Sequence, residues 1–96
     1  MPHYIALIHK QPDSGYGVSF PDVPGVVTVG DTIDEAMQKA ADVLEFAAED
    51  WSRLTGDEWP RARTIDELRG DPAFQEDSIG AVMAAVPFRP KVEAAE

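Results

Sequence analysis

Between Tyr16 and Phe20 the apolar side chains fall at every second position, with Tyr16, Val18 and Phe20 alternating with Gly17 and Ser19. That is the period of a strand with one packed face. Pro21 and Pro24 stop the ladder because neither donates a backbone hydrogen bond, and Pro24-Gly25 suits the two central positions of a type II turn. A second strand follows over Val26 to Val29 and is broken at Gly30-Asp31. From Ile33 the period becomes three to four residues. Ile33, Met37, Ala40, Leu44, Ala47, Trp51 and Leu54 form one stripe, and Asp34, Gln38, Asp42, Glu45, Glu49 and Ser52 take the other side. The pattern predicts a long amphipathic helix with that stripe buried. Thr32 and Glu35 have the spacing in which each side chain satisfies the other's exposed backbone N–H, so the helix starts at Ile33. Asp31, Asp34 and Glu35 sit at its positive end, Arg53 near its negative end, and Gly56 is its stop.

The flanking segments complete an outline. Residues 4 to 9, YIALIH, are apolar with little alternation, as in a strand covered on both faces. The loop Gln11 to Gly15 joins it to the next strand, so the first three strands form a meander. Beyond the turn at Gly56 to Pro60, Thr64 and Glu67 repeat the capping spacing ahead of a short helix that fails at Gly70-Asp71-Pro72. The echo between TIDEA and TIDEL has unmatched flanks and reads as two separate helix starts, not a repeat period. Ile79 to Val86, IGAVMAAV, is a last strand apolar on both faces and ended by Pro87, suited to a sheet interior or a subunit junction. In the tail that follows, Phe88 is a candidate anchor and the rest is expected to be mobile. The fold class is α+β: a three-stranded antiparallel meander, a long helix, a short helix and a fourth strand.

Composition narrows the function classes. At 96 residues with 44% hydrophobic content, the chain has enough apolar material for one core and too little length for two ordinary domains. Eighteen acidic residues against eight basic ones give a formal charge of −10. Such a surface repels phosphate backbones and attracts basic proteins, which argues against direct nucleic-acid binding. The absence of cysteine removes disulfides, thiolate nucleophiles and thiolate metal sites. With no basic leader, cleavage site or membrane-length apolar run, the expectation is a soluble, cytoplasmic protein.

SFPDVPG (residues 19–25) followed closely by TVGDTIDEA (residues 28–36) resembles the HicB-like antitoxin family. The element order matches the partial ribonuclease-H-like fold of that family, over roughly residues 4 to 86. Val26 stands where the family often has Cys. Many members continue into a ribbon-helix-helix or helix-turn-helix DNA-binding segment. Too few residues follow Pro87 here for either, so the expected organisation is a HicB-like single domain over 1–87 and a tail over 88–96 without a DNA-binding domain. The resemblance implies an antitoxin that binds and occludes a small, basic, mRNA-cleaving toxin of the HicA type. The alternative is an orphan regulatory or ligand-binding module on the same scaffold.

A ribonuclease H scaffold also invites a nuclease reading, which needs clustered carboxylates around two divalent metals. The first strand carries no acid, and the acids of the long helix lie on its wet face, so neither catalysis nor a metal or cofactor site is expected. His3 and His9 share a strand face but lie about 20 Å apart, too far for one metal. The candidate partner-binding residues are Tyr16, Pro21 and Asp22 near the proline turn, the acidic run Glu45, Glu49 and Asp50 with Phe46 on the polar side of the helix, and Trp59 in the WPRAR loop. An indole there packs on its own domain or meets a partner. The apolar last strand and open sheet edges further predict a homodimer or tetramer.

Overall fold

Two register facts put the first strand in the middle of the sheet. The structure, a computed structural model, describes residues 3–10, 12 and 15–88. In it Leu7 of β1 (His3–Lys10) lies opposite Ser19 of β2 (Tyr16–Ser19) on one side and opposite Met83 of β4 (Val82–Pro87) on the other. With β3 (Val27–Gly30) beyond β2, the order is β3-β2-β1-β4 and every neighbouring pair is antiparallel. The α+β expectation holds, including the meander and the fourth strand.

The lack of alternation in β1 has the expected cause. Its even positions, Tyr4, Ala6 and Ile8, join Val18, Phe20 and Val86 in a core closed by Ala36, Ala40 and Leu44 of α1 (Ile33–Thr55). Leu7, on the opposite face, is buried with Leu68 of α2 (Ile65–Arg69) and Phe74 of α3 (Pro72–Asp77), and Ile5 packs against them. β1 is therefore the shared floor of two apolar layers. Small residues carry the α1 side: Ala36 and Ala40 have no exposed surface, which lets the helix lie close to the sheet. Gly30 takes this furthest, since a Cβ there would sit 2.5 Å from the Ala36 backbone nitrogen.

The turns and caps follow their residues. Gly25 has φ +89° and Val26 N–H donates to the Val23 carbonyl at 3.2 Å, giving the type II turn at Pro24-Gly25. Gly56 has φ +80° and its N–H closes on the Ser52 carbonyl at 2.8 Å, ending α1. Thr32 caps the start of α1 by accepting from Glu35 N–H, but Glu35 reaches one residue further back than expected, to the Asp31 N–H at 2.7 Å. The reciprocal box is complete at α2, between Thr64 and Glu67.

Four expectations need correction. The buried stripe of α1 is narrower than its sequence period: Ile33 is 40% exposed and Leu54 72%, because the ends of this helix overhang a sheet of short strands. The last strand starts at Val82, not Ile79, which is exposed beside a turn containing Gly80 at φ +75°. That strand is an edge strand and not an interior one. The stop expected at Gly70-Asp71-Pro72 is also the start of α3: Asp71 accepts from Ala73 N–H at 2.9 Å and Pro72 fills the first turn, where its missing N–H costs nothing. The mobility expected beyond Phe88 concerns residues outside those described.

Candidate partner-binding site

The eight candidate residues divide into an internal group and an external group. Asp22 is internal. Its side chain is 3% exposed, and its carboxylate accepts from the Arg63 backbone N–H at 2.8 Å and from the Arg63 Nε. Arg63 Nη1 donates in turn to Asp71, the α3 cap, at 2.9 Å. The hydrogen bond to Asp22 raises the Arg63 pKa, and the bond from Arg63 lowers that of Asp71. This chain of charges ties the proline turn to the entry of α2 and the start of α3.

Trp59 is internal as well. It stacks on Phe88 at 5.3 Å between centroids and meets Trp51 edge-on at 5.4 Å, with Tyr4 at 5.9 Å. Tyr4 Oη donates to the Pro60 carbonyl, and burial is the main reason its pKa is raised. Trp59 thus secures the segment after α1 to the sheet. Tyr16 packs at the margin of the α1 core with the Lys10 ammonium 5.5 Å above its ring. Pro21 sits in the turn, beside a small cavity also lined by Pro24, Gly25 and Val27.

The external group is on α1. Asp42, Glu45, Phe46 and Glu49 are spaced at zero, three, four and seven, so they share a face. With Thr28 of β3, Lys39 and Val43 they line an open groove of about 510 Å³ between the helix and the β3 edge. Phe46 is 70% exposed, an aromatic ring standing among carboxylates. Asp50 lies one turn on, paired to Arg53 at 3.0 Å. Glu45, Phe46 and Glu49 are therefore brought together, while Tyr16, Pro21, Asp22 and Trp59 belong elsewhere. Thr28 and Val43 were not among the candidates; nothing in the local sequence marks them, since their place depends on how α1 lies over β3.

A second hollow, of about 450 Å³, lies on the other sheet face among His9, Gly17, Ser19, Val27 and Val29. Gly17 gives it depth, and Val27 and Val29 are each more than 60% exposed. His9 Nε2 is 3.1 Å from the Asp77 carbonyl oxygen of α3. Among the described residues no three His, Asp or Glu side chains converge as metal ligands, and no helix is long and apolar enough to cross a membrane.

The model for HicB-like antitoxins of bacterial toxin-antitoxin systems matches residues 4–93. This chain belongs to the HicB-like antitoxin family. The family is one of antitoxins, not of enzymes. The chain is 36% identical over 80 residues to a 14.9 kDa protein from the rep-hol intergenic region of Haemophilus phage HP1, covering 82% of this chain and 58% of that protein. It is 43% identical over 55 residues to antitoxin HicB 1 of Photorhabdus laumondii, covering 53% of this chain and 36% of that one. The matches thus span little more than half, or less, of these relatives' own length. Among solved structures, the N-terminal domain of Burkholderia pseudomallei antitoxin HicB shares 31% identity and a TM-score of 0.67, covering 91% of this chain and 98% of that one. A chain of the HicA3 and HicB3 toxin-antitoxin complex, 23% identical with a TM-score of 0.67 over 92% of this chain and 99% of that one, shares the fold.

Proposed function

We propose that this antitoxin-family chain binds a small basic RNA-cleaving toxin of the HicA type and covers the surface on which the toxin would hold RNA phosphates. The observation that carries this reading is the exposed Phe46 ring set among Asp42, Glu45 and Glu49. Carboxylates at those positions complement a phosphate-binding groove and speed encounter, while a buried aromatic anchor slows dissociation. A net charge of −10 adds long-range attraction for a basic protein. Inhibition would then be steric. No bond in the toxin or the RNA needs to change.

The experiment pairs the chain with a small basic protein encoded beside it and follows RNA cleavage as the chain is titrated in. Cleavage should stop near stoichiometric addition, and Phe46→Ala should raise the inhibitory concentration by about 10- to 100-fold, the range for loss of an aromatic anchor. A wild-type chain that neither binds nor inhibits such a toxin would defeat the proposal. The hollow at His9, Gly17 and Val29 supports a second reading, a regulatory module taking a small ligand. Perturbation of backbone resonances confined to that hollow in a small-molecule screen would favour it.

A further inference from the structure

The acidic groove and the apolar hollow meet at one strand. Thr28 of β3 lines both, the first beneath α1 and the second on the opposite face of the sheet. β3 ends the sheet, so among the described residues its outer edge has no neighbouring strand. In an antiparallel pair alternate residues turn both N–H and C=O away from the partner strand, and on β3 those groups face the free side. Val27 to Val29 brings neither charge nor proline to guard them. We propose that the β3 edge takes an extended segment of a basic partner as an added strand, one in which cationic residues alternate with apolar ones. This rests on the reading of the chain as an inhibitor of a basic protein, and it specifies the form and pattern of the segment bound.

The pattern follows from what stands on each side of the edge. Side chains of an added strand alternate with a period of two, so successive residues enter different hollows. Those turned toward α1 meet Asp42, Glu45 and Glu49 around the Phe46 ring. Lys or Arg suits both parts of that surface, laying its stem against the ring and its charge among the carboxylates. Those turned the other way meet Val27 and Val29, which are 61% and 62% exposed. Gly17 lies opposite Val29 on β2, so no side chain rises there to cover the valine. A Val, Ile or Leu of the added strand covers that ridge. β3 has only four residues, which keeps the backbone ladder short and leaves selectivity to these side chains.

The test uses the full chain, isotope-labelled for magnetic resonance, and two capped peptides of equal composition. One alternates Lys and Val; the other has its Lys residues grouped at one end. At saturation the alternating peptide should slow hydrogen exchange of the β3 amides that face away from β2 by about tenfold or more. It should also bind about tenfold tighter than the grouped peptide. Val29→Ser changes an exposed position and leaves net charge unaltered, and it should weaken the alternating peptide by about tenfold, the loss of one apolar contact. An attraction of charge alone would not register that substitution. Equal binding of the two peptides, perturbation of α1 without protection of β3, or no binding at about 1 mM peptide would overturn the proposal. Toxin inhibition is read separately. A chain that stops RNA cleavage while its β3 amides stay open to exchange under the alternating peptide keeps the antitoxin reading and loses the strand addition. Protection of β3 in a chain that leaves RNA cleavage untouched retains the edge site and defeats the toxin reading.

Discussion

Arg63 joins three segments through one side chain. It is about a third exposed, while its partner Asp22 is almost fully enclosed, so the two ends of the pair do not respond equally to mutation. Arg63→Ala would strand a buried carboxylate and should lower the unfolding free energy by about 3 kcal/mol, the low end for breaking a buried pair because water can reach part of the site. Arg61→Ala removes only an exposed partner of Glu67 and should cost far less. Urea denaturation of both variants checks the contrast; equal losses would mean that the Asp22 pair contributes no more than a surface contact. Gly30→Ala should be destabilising by about 2 kcal/mol or more, since the new methyl meets helix backbone that has no rotamer to escape into. Neither position was singled out by its sequence. Gly30 reads only as a strand breaker and Arg63 carries no local signal, because both roles arise from segments distant in the chain.

Elements show more plainly what local pattern can carry. The caps at Thr32 and Thr64, the turn at Pro24-Gly25 and the stop at Gly56 depend on residues within a few positions of each other, and all were legible. The error at α3 had a local remedy: Asp71-Pro72 is a helix start as well as a helix stop, and only the stop was read. The extent of the α1 stripe was different in kind. Its period was correct, but which turns are covered depends on strand length, as the overhanging Ile33 and Leu54 show. At the candidate site, helix spacing brought Glu45, Phe46 and Glu49 together correctly. Proximity in sequence could not reveal that Asp22 and Trp59 face inward. For α2 a pH prediction follows. Glu67 accepts hydrogen bonds from Arg61, the largest cause, and from Thr64 N–H, which lower its pKa from 4.5 to about 2. A carboxyl depressed by folding stabilises the native state at pH values above 4.5, and that contribution is lost as pH falls from 4.5 through about 2. The melting temperature should therefore decline across that window, and Glu67→Gln should flatten part of the decline. An unchanged profile in the variant would exclude Glu67 as a source.

Across the whole molecule, net charge governs how partner binding responds to ionic strength. Toxin binding through the acidic face of α1 should weaken by about tenfold between roughly 0.05 and 0.5 M salt as the attraction is screened. Calorimetry across the salt series gives the slope, and binding that does not weaken would contradict this assignment of the surface.

The position of β1 between two apolar layers also sets a clock on the backbone. The amides of Leu7 and Ile8 have a strand on either side and side chains packed above and below, so they can trade hydrogen for deuterium only when the sheet comes apart. The amides of the last turn of α1, where Ser52 to Thr55 are all exposed, need only a local fraying. Mass spectrometry should find the two segments at opposite ends of the labelling time course.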